Sequence, residues 1–313
     1  MRRPDRFSAS AEPLTAGDID ALNRLFSDAF TDRYSRDGMM GVRVPFLNPA
    51  VWRYAIEAAG GGAMAWRDGQ GQLVAFNLAH LSGTEGWMGP LAVRPDRQNA
   101  GLGGAVVRAA IQWLRERGAS TIGLETMPRT VENIGFYSRL GFVPTHLTIT
   151  MVHDADRRPR GATPLAGPGA IGECRALAGR LVPGLDFDRE LTLTHELELG
   201  GLTVVRRGPA IAGFALWHTA PLASGRTRDE LRVLKLAAID DAVFIELLAE
   251  LRVRAAAERV RRISLRCQTG YTSAYRALVE AGFRVHWTDL RMVLFDKPAV
   301  HAAAGIVFSN WEI

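Results

Sequence analysis

Lysine is almost absent from this 313-residue chain: Lys235 and Lys297 are the only two among 38 basic residues, so the net charge of +5 rests on arginine. The arginines are spread over both halves and do not cluster with aromatic residues. That argues against a nucleic-acid-binding stripe and for a solvated surface that attracts a small polyanionic cofactor. Cysteine is scarce too. Cys174 and Cys267 make no disulfide framework and have no metal-ligand spacing, and the seven histidines are scattered, so no metal site is expected. Long apolar runs are missing, which excludes a membrane-spanning helix of ordinary length. The first ten residues are polar and basic and lead into no apolar stretch, unlike a secretory signal. The expectation is a cytoplasmic protein, monomer or homodimer, with no nucleic-acid or membrane partner.

An apolar content of 47% against 23% charged residues is a normal globular mixture, and the length suits two domains. Ile19, Leu22, Leu25, Phe26 and Phe30 recur at helical spacing and predict a helix over residues 16–30. A second helix is expected over 49–59, stopped by Gly60-Gly61-Gly62. Strands over 63–67 and 73–81 flank Asp68-Gly69-Gln70-Gly71, which is good hairpin chemistry. A strand over 87–93 then meets a glycine-rich turn that opens a helix closed by Gly118. A strand over 121–127, a helix ending at Leu140 and a strand over 142–152 complete this half. The order implies an α/β (α+β) unit: a mixed, mostly antiparallel sheet flanked by helices.

Residues 154–169 are rich in arginine, proline and glycine and read as a linker between domains at 1–153 and 170–313. The second half repeats the plan. A shift of 141 residues lays 121–142 over 262–283 without a gap, matching Ile122 with Ile263, Leu124 with Leu265, and Gly141-Phe142 with Gly282-Phe283. With a three-residue adjustment Phe76 falls on Phe214. After residue 152 the first half lacks a final strand, while 306–311 reads as a strand with nothing after it. This C-terminal strand is expected to complete one of the two sheets, by exchange into the first if not in its own.

The chemistry concentrates in Gln98-Asn99-Ala100-Gly101-Leu102-Gly103-Gly104. A strand delivers the chain to a turn with little side-chain bulk, and a helix begins at once. Glycines let backbone N–H groups approach an anion, and the helix N-terminus adds about half a positive charge. No Gly-Lys-Ser/Thr follows, which excludes a Walker loop. The preceding antiparallel strands disfavour a dinucleotide fold.

Gln98-x-x-Gly101-x-Gly103, preceded by Leu91-Ala92-Val93-x-Pro95, resembles the acetyl-coenzyme A signature of the GCN5-related N-acetyltransferase (GNAT) superfamily. Asn133-Ile134-Gly135-Phe136-Tyr137-Ser138-Arg139-Leu140-Gly141-Phe142 resembles its second signature, and the likeness covers roughly residues 11–152. The resemblance implies two tandem GNAT-like domains, the first an acetyl- or acyl-coenzyme A-dependent N-acyltransferase acting on a small-molecule or peptide amine without a metal. It implies that backbone groups of Leu91, Ala92 and Val93 pair with the pantetheine arm like an added strand. The amides of Gln98, Asn99, Ala100, Gly101, Leu102, Gly103 and Gly104 would hold the pyrophosphate, with Asn133 and Phe136 also at the cofactor. Tyr137 would protonate the departing thiolate. Members often carry asparagine seven residues before that tyrosine, where this chain has Thr130.

The base is open among three residues: Glu125 on the strand after the cofactor helix is preferred, with His80 and Glu85 as alternatives. Neither cysteine lies in the motifs and no Ser/His/Asp pattern exists, so direct transfer is expected over an acyl-enzyme. Under the 141-residue shift Gln98, Gly101, Gly103 and Tyr137 fall on Ile239, Ala242, Phe244 and Leu278, so the second half is expected to be degenerate. A non-catalytic acyl-coenzyme A sensor is the alternative.

Overall fold

Local chemistry sets the elements of the first half in the computed structural model, which describes residues 10–155 and 161–312. After a two-residue strand β1 (Glu12–Pro13), helix α1 (Ile19–Arg36) runs six residues past the expected end, because Phe30 and Tyr34 continue its apolar stripe. Helix α2 (Pro49–Ala59) starts where the Asn48 side chain accepts the Ala50 N–H at 3.0 Å, with proline in its first position. Strands β2 (Ala63–Arg67) and β3 (Leu73–Ser82) form the expected hairpin. Its turn is closed by Asp68 Oδ1, which accepts the N–H groups of Gln70 and Gln72 at 3.0 Å each. Strand β4 (Glu85–Val93), helix α3 (Leu102–Glu116), strand β5 (Thr121–Thr126), helix α4 (Val131–Ser138) and strand β6 (Phe142–Asp154) follow.

The second half repeats this sequence of elements: α5 (Ile171–Leu181), α6 (Asp188–Glu196), β7 (Gly200–Arg207), β8 (Ala210–His218), β9 (Glu230–Ala238), α7 (Asp241–Ala257), β10 (Arg262–Gln268), α8 (Thr272–Glu280) and β11 (Arg284–Leu294). A last strand, β12 (Ile306–Ser309), has no counterpart among the described residues of the first half. The expected domain bounds and linker fall partly on residues 1–9 and 156–160, which lie outside the described residues. The end of the linker is not free: Ala166 N–H bonds to Leu202 O at 3.1 Å along the edge of β7.

The two halves do not keep separate sheets. Eleven strands run in the order β1-β2-β3-β4-β5-β11-β6-β10-β9-β8-β7, with β12 on β9. Strand β11 of the second half lies between β5 and β6 of the first, and β6 of the first lies between β10 and β11 of the second. Each half thus lends its last long strand to the other. Within the β6–β11 ladder Thr148 is the partner of Asp289, a pair separated by 141 residues, the shift that relates the halves. An approximate two-fold axis therefore passes through this pair. The exchanged strand is β11, not the C-terminal strand, which stays with its own half on β9.

Helices α1 and α2 cover one face of the first half, on Phe76, Leu78 and Ala92, while α3 and α4 cover the other, on Ala79, Met88, Ile122 and Leu124. On the first of these faces α2 meets α6 through Tyr54, Ala58 and Leu193.

Candidate active site

The cleft begins where two parallel strands part. Strands β4 and β5 pair from Glu85↔Thr121 to Met88↔Leu124 and no further. Gly89 then takes φ 145°, a conformation that side chains rarely adopt, and Pro90 has no N–H to offer. Beyond it Leu91 and Ala92 pair with Asn77 and Phe76 on β3, and Val93 with Ala75. The other backbone edge of Leu91–Val93 has no strand partner.

That edge leads directly to the turn. Asn99 and Gly101 both adopt left-handed φ, 62° and 84°, which reverses the chain and starts α3 at Leu102. The Gln98 side chain braces the turn by donating from Nε2 to Val93 O at 3.0 Å. The first helical amide to find a carbonyl is that of Ala105, to Gly101 O at 3.2 Å, so the amides of the first turn are free for an anion. Glycine is needed at Gly101 for its left-handed φ. A Cβ on Gly103 would only touch the Phe136 ring at 3.4 Å, and one on Gly104 would meet the flexible end of Arg108 at 3.1 Å. Gly103 and Phe136 form the close approach of α3 and α4, the two walls of the cleft.

On α4, Tyr137 is 7% exposed and packs against Phe136 and Phe142, with ring centroids 5.1 and 6.0 Å away. Burial pushes its phenol pKa upward, so the hydroxyl keeps its proton over the physiological range. Asn133 is half-buried one turn before Tyr137. Thr130, which stands in the family's asparagine position, serves the fold instead: it is fully buried and donates from Oγ1 to Asp37 Oδ2 at 2.5 Å, and Asp37 pairs with Arg33 at 2.7 Å.

Glu125 is not the free carboxylate that a base requires. Its side chain is 2% exposed and bonded to Arg266 at 2.6 Å, Arg291 at 2.8 Å and Thr148 at 2.5 Å. Burial alone would raise its pKa, but the two guanidiniums and Thr148 outweigh it and bring the value down to about 2. The expectation for Glu125 is corrected on this geometry: it is the anchor of an ion-pair cage at the two-fold axis, facing Arg266, its own counterpart under the 141-residue shift. The alternatives fare no better. His80 is 3% exposed, stacked on Trp87 at 3.9 Å, and desolvation with the nearby Lys235 lowers its pKa to about 3. Glu85 accepts the Ser309 hydroxyl at 2.5 Å.

The cleft has no open equivalent in the second half. The first parallel pairs, Glu85↔Thr121 and Glu230↔Arg262, align Leu91–Val93 with Leu236–Ala238. There Phe308, Val307 and Ile306 of β12 pair with those residues and fill the gap. The anion turn is missing outright. Residues 94–101 separate β4 from α3, whereas only 239 and 240 separate β9 from α7. The residue-by-residue match of Gln98, Gly101 and Gly103 to Ile239, Ala242 and Phe244 therefore gives way to a deletion. Asp240 caps α7 instead, accepting the Val243 N–H at 2.8 Å and putting a carboxylate where a phosphate would lie.

Sequence reasoning missed Arg266, Arg291, Trp311 and Glu312, which the strand exchange brings to the mouth of the cleft. Arg291 had a weak signal, an arginine in a strand of otherwise ordinary pattern; the others had none. Cys174 and Cys267 are both buried and unpaired. Among the described residues no His/Cys/Asp/Glu group could hold a metal, and no helix is long and apolar enough to cross a membrane.

A strand edge left open beside a helix-capped anion turn, with α3 and α4 diverging over it, is the architecture of an acyl-coenzyme A-binding fold. The acetyltransferase (GNAT) family model matches residues 19–142, the segment that holds the open strand edge and the turn. Among curated proteins it is similar to the [ribosomal protein bS18]-alanine N-acetyltransferase of Escherichia coli (strain K12), 35% identical over 72 residues. That match takes in 23% of this chain, and it spans only about half (49%) of the relative's length. Among solved structures, a putative acetyltransferase from Pyrococcus horikoshii has a TM-score of 0.70 at 16% identity, over 99% of this chain and 95% of that one. A tandem GNAT protein from the clavulanic acid biosynthesis pathway has a TM-score of 0.56 at 13% identity, over 94% and 100%. At such identities the likeness is one of fold.

Proposed function

We propose that the first half transfers an acyl group, acetyl in the first place, from coenzyme A to a primary amine by direct attack on the thioester. The observation that carries this reading is the unpartnered edge of Leu91–Val93, followed after the short turn of residues 94–97 by the free amides of residues 99–104. Such an edge accepts an extended amide-bearing arm as a further strand, and the turn accepts its pyrophosphate. Both coenzyme features fit one groove, with Gly103 and Phe136 on its walls.

Amine attack needs charge stabilisation at the carbonyl oxygen and a proton for the leaving thiolate. The amides at the start of the open edge supply the first, and Tyr137, protonated by burial, supplies the second. The second half holds no coenzyme in this reading, since β12 fills its cleft and the anion turn is deleted; each chain has one site. The acceptor is an amine. The relative's action on an alanine of a ribosomal protein makes a peptide α-amine one arm of the test, beside small-molecule amines.

The test is a panel of such amines with acetyl-coenzyme A and detection of the released thiol. Tyr137→Phe is expected to lower kcat by about 10²–10⁴-fold while leaving acetyl-coenzyme A binding within twofold. Normal turnover by that variant overturns the role of Tyr137, and the absence of coenzyme binding by the wild type overturns the reading as a whole.

A further inference from the structure

The second half sends its C-terminal tail across the sheet into the first cleft. After β12, Asn310 N–H bonds to Leu234 O at 3.0 Å and Lys235 Nζ donates to Asn310 O at 3.0 Å. Trp311 then lies over β4, β5 and β11. Its side chain is 1% exposed, its ring covers the Arg291 guanidinium at 3.7 Å, and it packs with Trp87 and Val293. Its carbonyl oxygen is 4.0 Å from the Cβ position of Gly89, the residue at which the cleft opens. Trp311 Nε1 has no hydrogen-bond partner, so a buried donor stands unsatisfied at the vertex of the cleft.

Glu312 follows, oriented by its own N–H bond to Asn310 Oδ1 at 3.0 Å. Its carboxylate meets Arg266 Nη1 at 2.6 Å, while Arg266 Nη2 is shared by Glu125 and by Asp289 at 3.0 Å. Asp289 also accepts the Trp287 Nε1–H at 3.2 Å. The groups facing Glu312 are thus Arg266 on β10, Asp289 on β11, Glu125 on β5 and Tyr34 on α1. Glu125, Asp289 and Glu312 outnumber Arg266 and Arg291 by one negative charge. Glu312 is the exposed member at 47%, against 2% and 4% for the side chains of Glu125 and Asp289.

We propose that this tail completes the active site of the first half, with Glu312 binding the acceptor's ammonium and removing its proton. The inference rests on the acyltransfer reading above and names the acceptor as a cationic amine. The ammonium gives one proton to the Glu312 carboxylate, and the freed nitrogen lone pair forms the C–N bond to the thioester carbonyl. The adduct loses its second N–H proton to solvent as the C–S bond breaks, and the electron pair leaves on sulfur. The Tyr137 hydroxyl hydrogen passes to that sulfur, and the phenolate regains a proton from solvent. Glu312 suits the task. Desolvation beside the Arg266 cluster, with the charges of Asp289 and Glu125 adding to it, outweighs Arg266 and pushes its pKa up to about 7, while its exposed face stays open to an incoming amine.

The experiment compares wild type, Glu312→Gln and Glu312→Asp in full-length protein, using the amine that the panel identifies and acetyl-coenzyme A. The wild-type kcat/KM is expected to rise with pH through about 7. Glu312→Gln should lose that inflexion and at least about tenfold in kcat/KM, with unchanged acetyl-coenzyme A affinity and Tm. Glu312→Asp should recover part of the rate and keep an inflexion. A residue that merely neutralises Arg266 would leave the profile in place, and an unshifted profile with kcat/KM within twofold in Glu312→Gln overturns the inference alone. A wild type that binds acetyl-coenzyme A but acylates no amine overturns both the inference and the reading beneath it.

Discussion

Gly123→Ala tests the seat of the C-terminal tail with a single methyl group. Gly123 lies on β5 under Trp311, and a Cβ there would stand 2.5 Å from Trp311 Cη2, closer still to Cζ3, and 2.9 Å from the Met292 carbonyl. None of these can be accommodated by a rotamer change, because the carbonyl belongs to the β5–β11 ladder and the indole is wedged between Arg291, Trp87 and Val293. The indole must leave its site. A buried tryptophan removes about 150–250 Å² from water, worth about 4–6 kcal/mol at 25 cal/mol per Å². The stack on Arg291 adds about 0.5–2 kcal/mol. If displacement forfeits half of this, the variant loses about 3 kcal/mol. For a chain of this size that is a fall of about 6 °C in Tm. The assay is a double-mutant cycle with Trp311→Ala, followed by thermal or urea unfolding. Trp311→Ala removes the indole and leaves only the approach to the Met292 carbonyl, so Gly123→Ala should cost much less in Trp311→Ala than in the wild type, a strongly non-additive result. Gly123→Ala with wild-type stability, or strict additivity in the cycle, refutes the placement of Trp311 on β5.

Two further outcomes follow from the same geometry. Gly103→Val brings side-chain atoms against Phe136, already 3.4 Å from the Cβ position. It should weaken acetyl-coenzyme A at least about tenfold by calorimetry through crowding of the α3–α4 gap, and an unchanged affinity would remove the cofactor from this groove. Acid sensitivity separates His80 from Glu125. The folded pKa of His80 lies near 3, below its ordinary value, so stability is lost as pH falls from about 6.5 towards 3, at about 1.4 kcal/mol per pH unit. Glu125 is depressed to about 2, so its contribution is complete above about 4.5 and fades only below that. His80→Phe, which keeps the stack on Trp87, should flatten the stability curve between pH 6 and 5; an unaltered slope there would assign the acid loss to other groups.

The first half was legible because its signals are local. Apolar spacing, Asn48 with Pro49, the Asp68 turn and the stops at Gly60 and Gly118 each act within a few residues, and the observed elements fall within a few positions of the expected ones. The glycine-rich turn was legible for the same reason: left-handed residues and a helix start must be adjacent in sequence to leave backbone amides free. The misreadings share an opposite origin. Glu125 looked like a base because its strand position faces the cleft, but its partners Arg266 and Arg291 lie 141 and 166 residues away. The second-half match at Gly101 and Gly103 failed because a fixed shift cannot register a deleted loop.

The sequence by itself determined the two-fold repeat and the glycine-rich turn that opens α3, since backbone conformation and helix polarity follow from residue type at short range. Tertiary structure alone decided which strand was exchanged. Strands β6 and β11 each pair on both sides in the other half's sheet, a choice between ladders that no local pattern encodes. From that exchange came the arginine cage around Glu125, the filling of the second cleft by β12, and the arrival of Trp311 and Glu312 at the first. Long-range pairing thus set the charged cluster around Glu125 and Glu312, while local chemistry set the turn that opens α3.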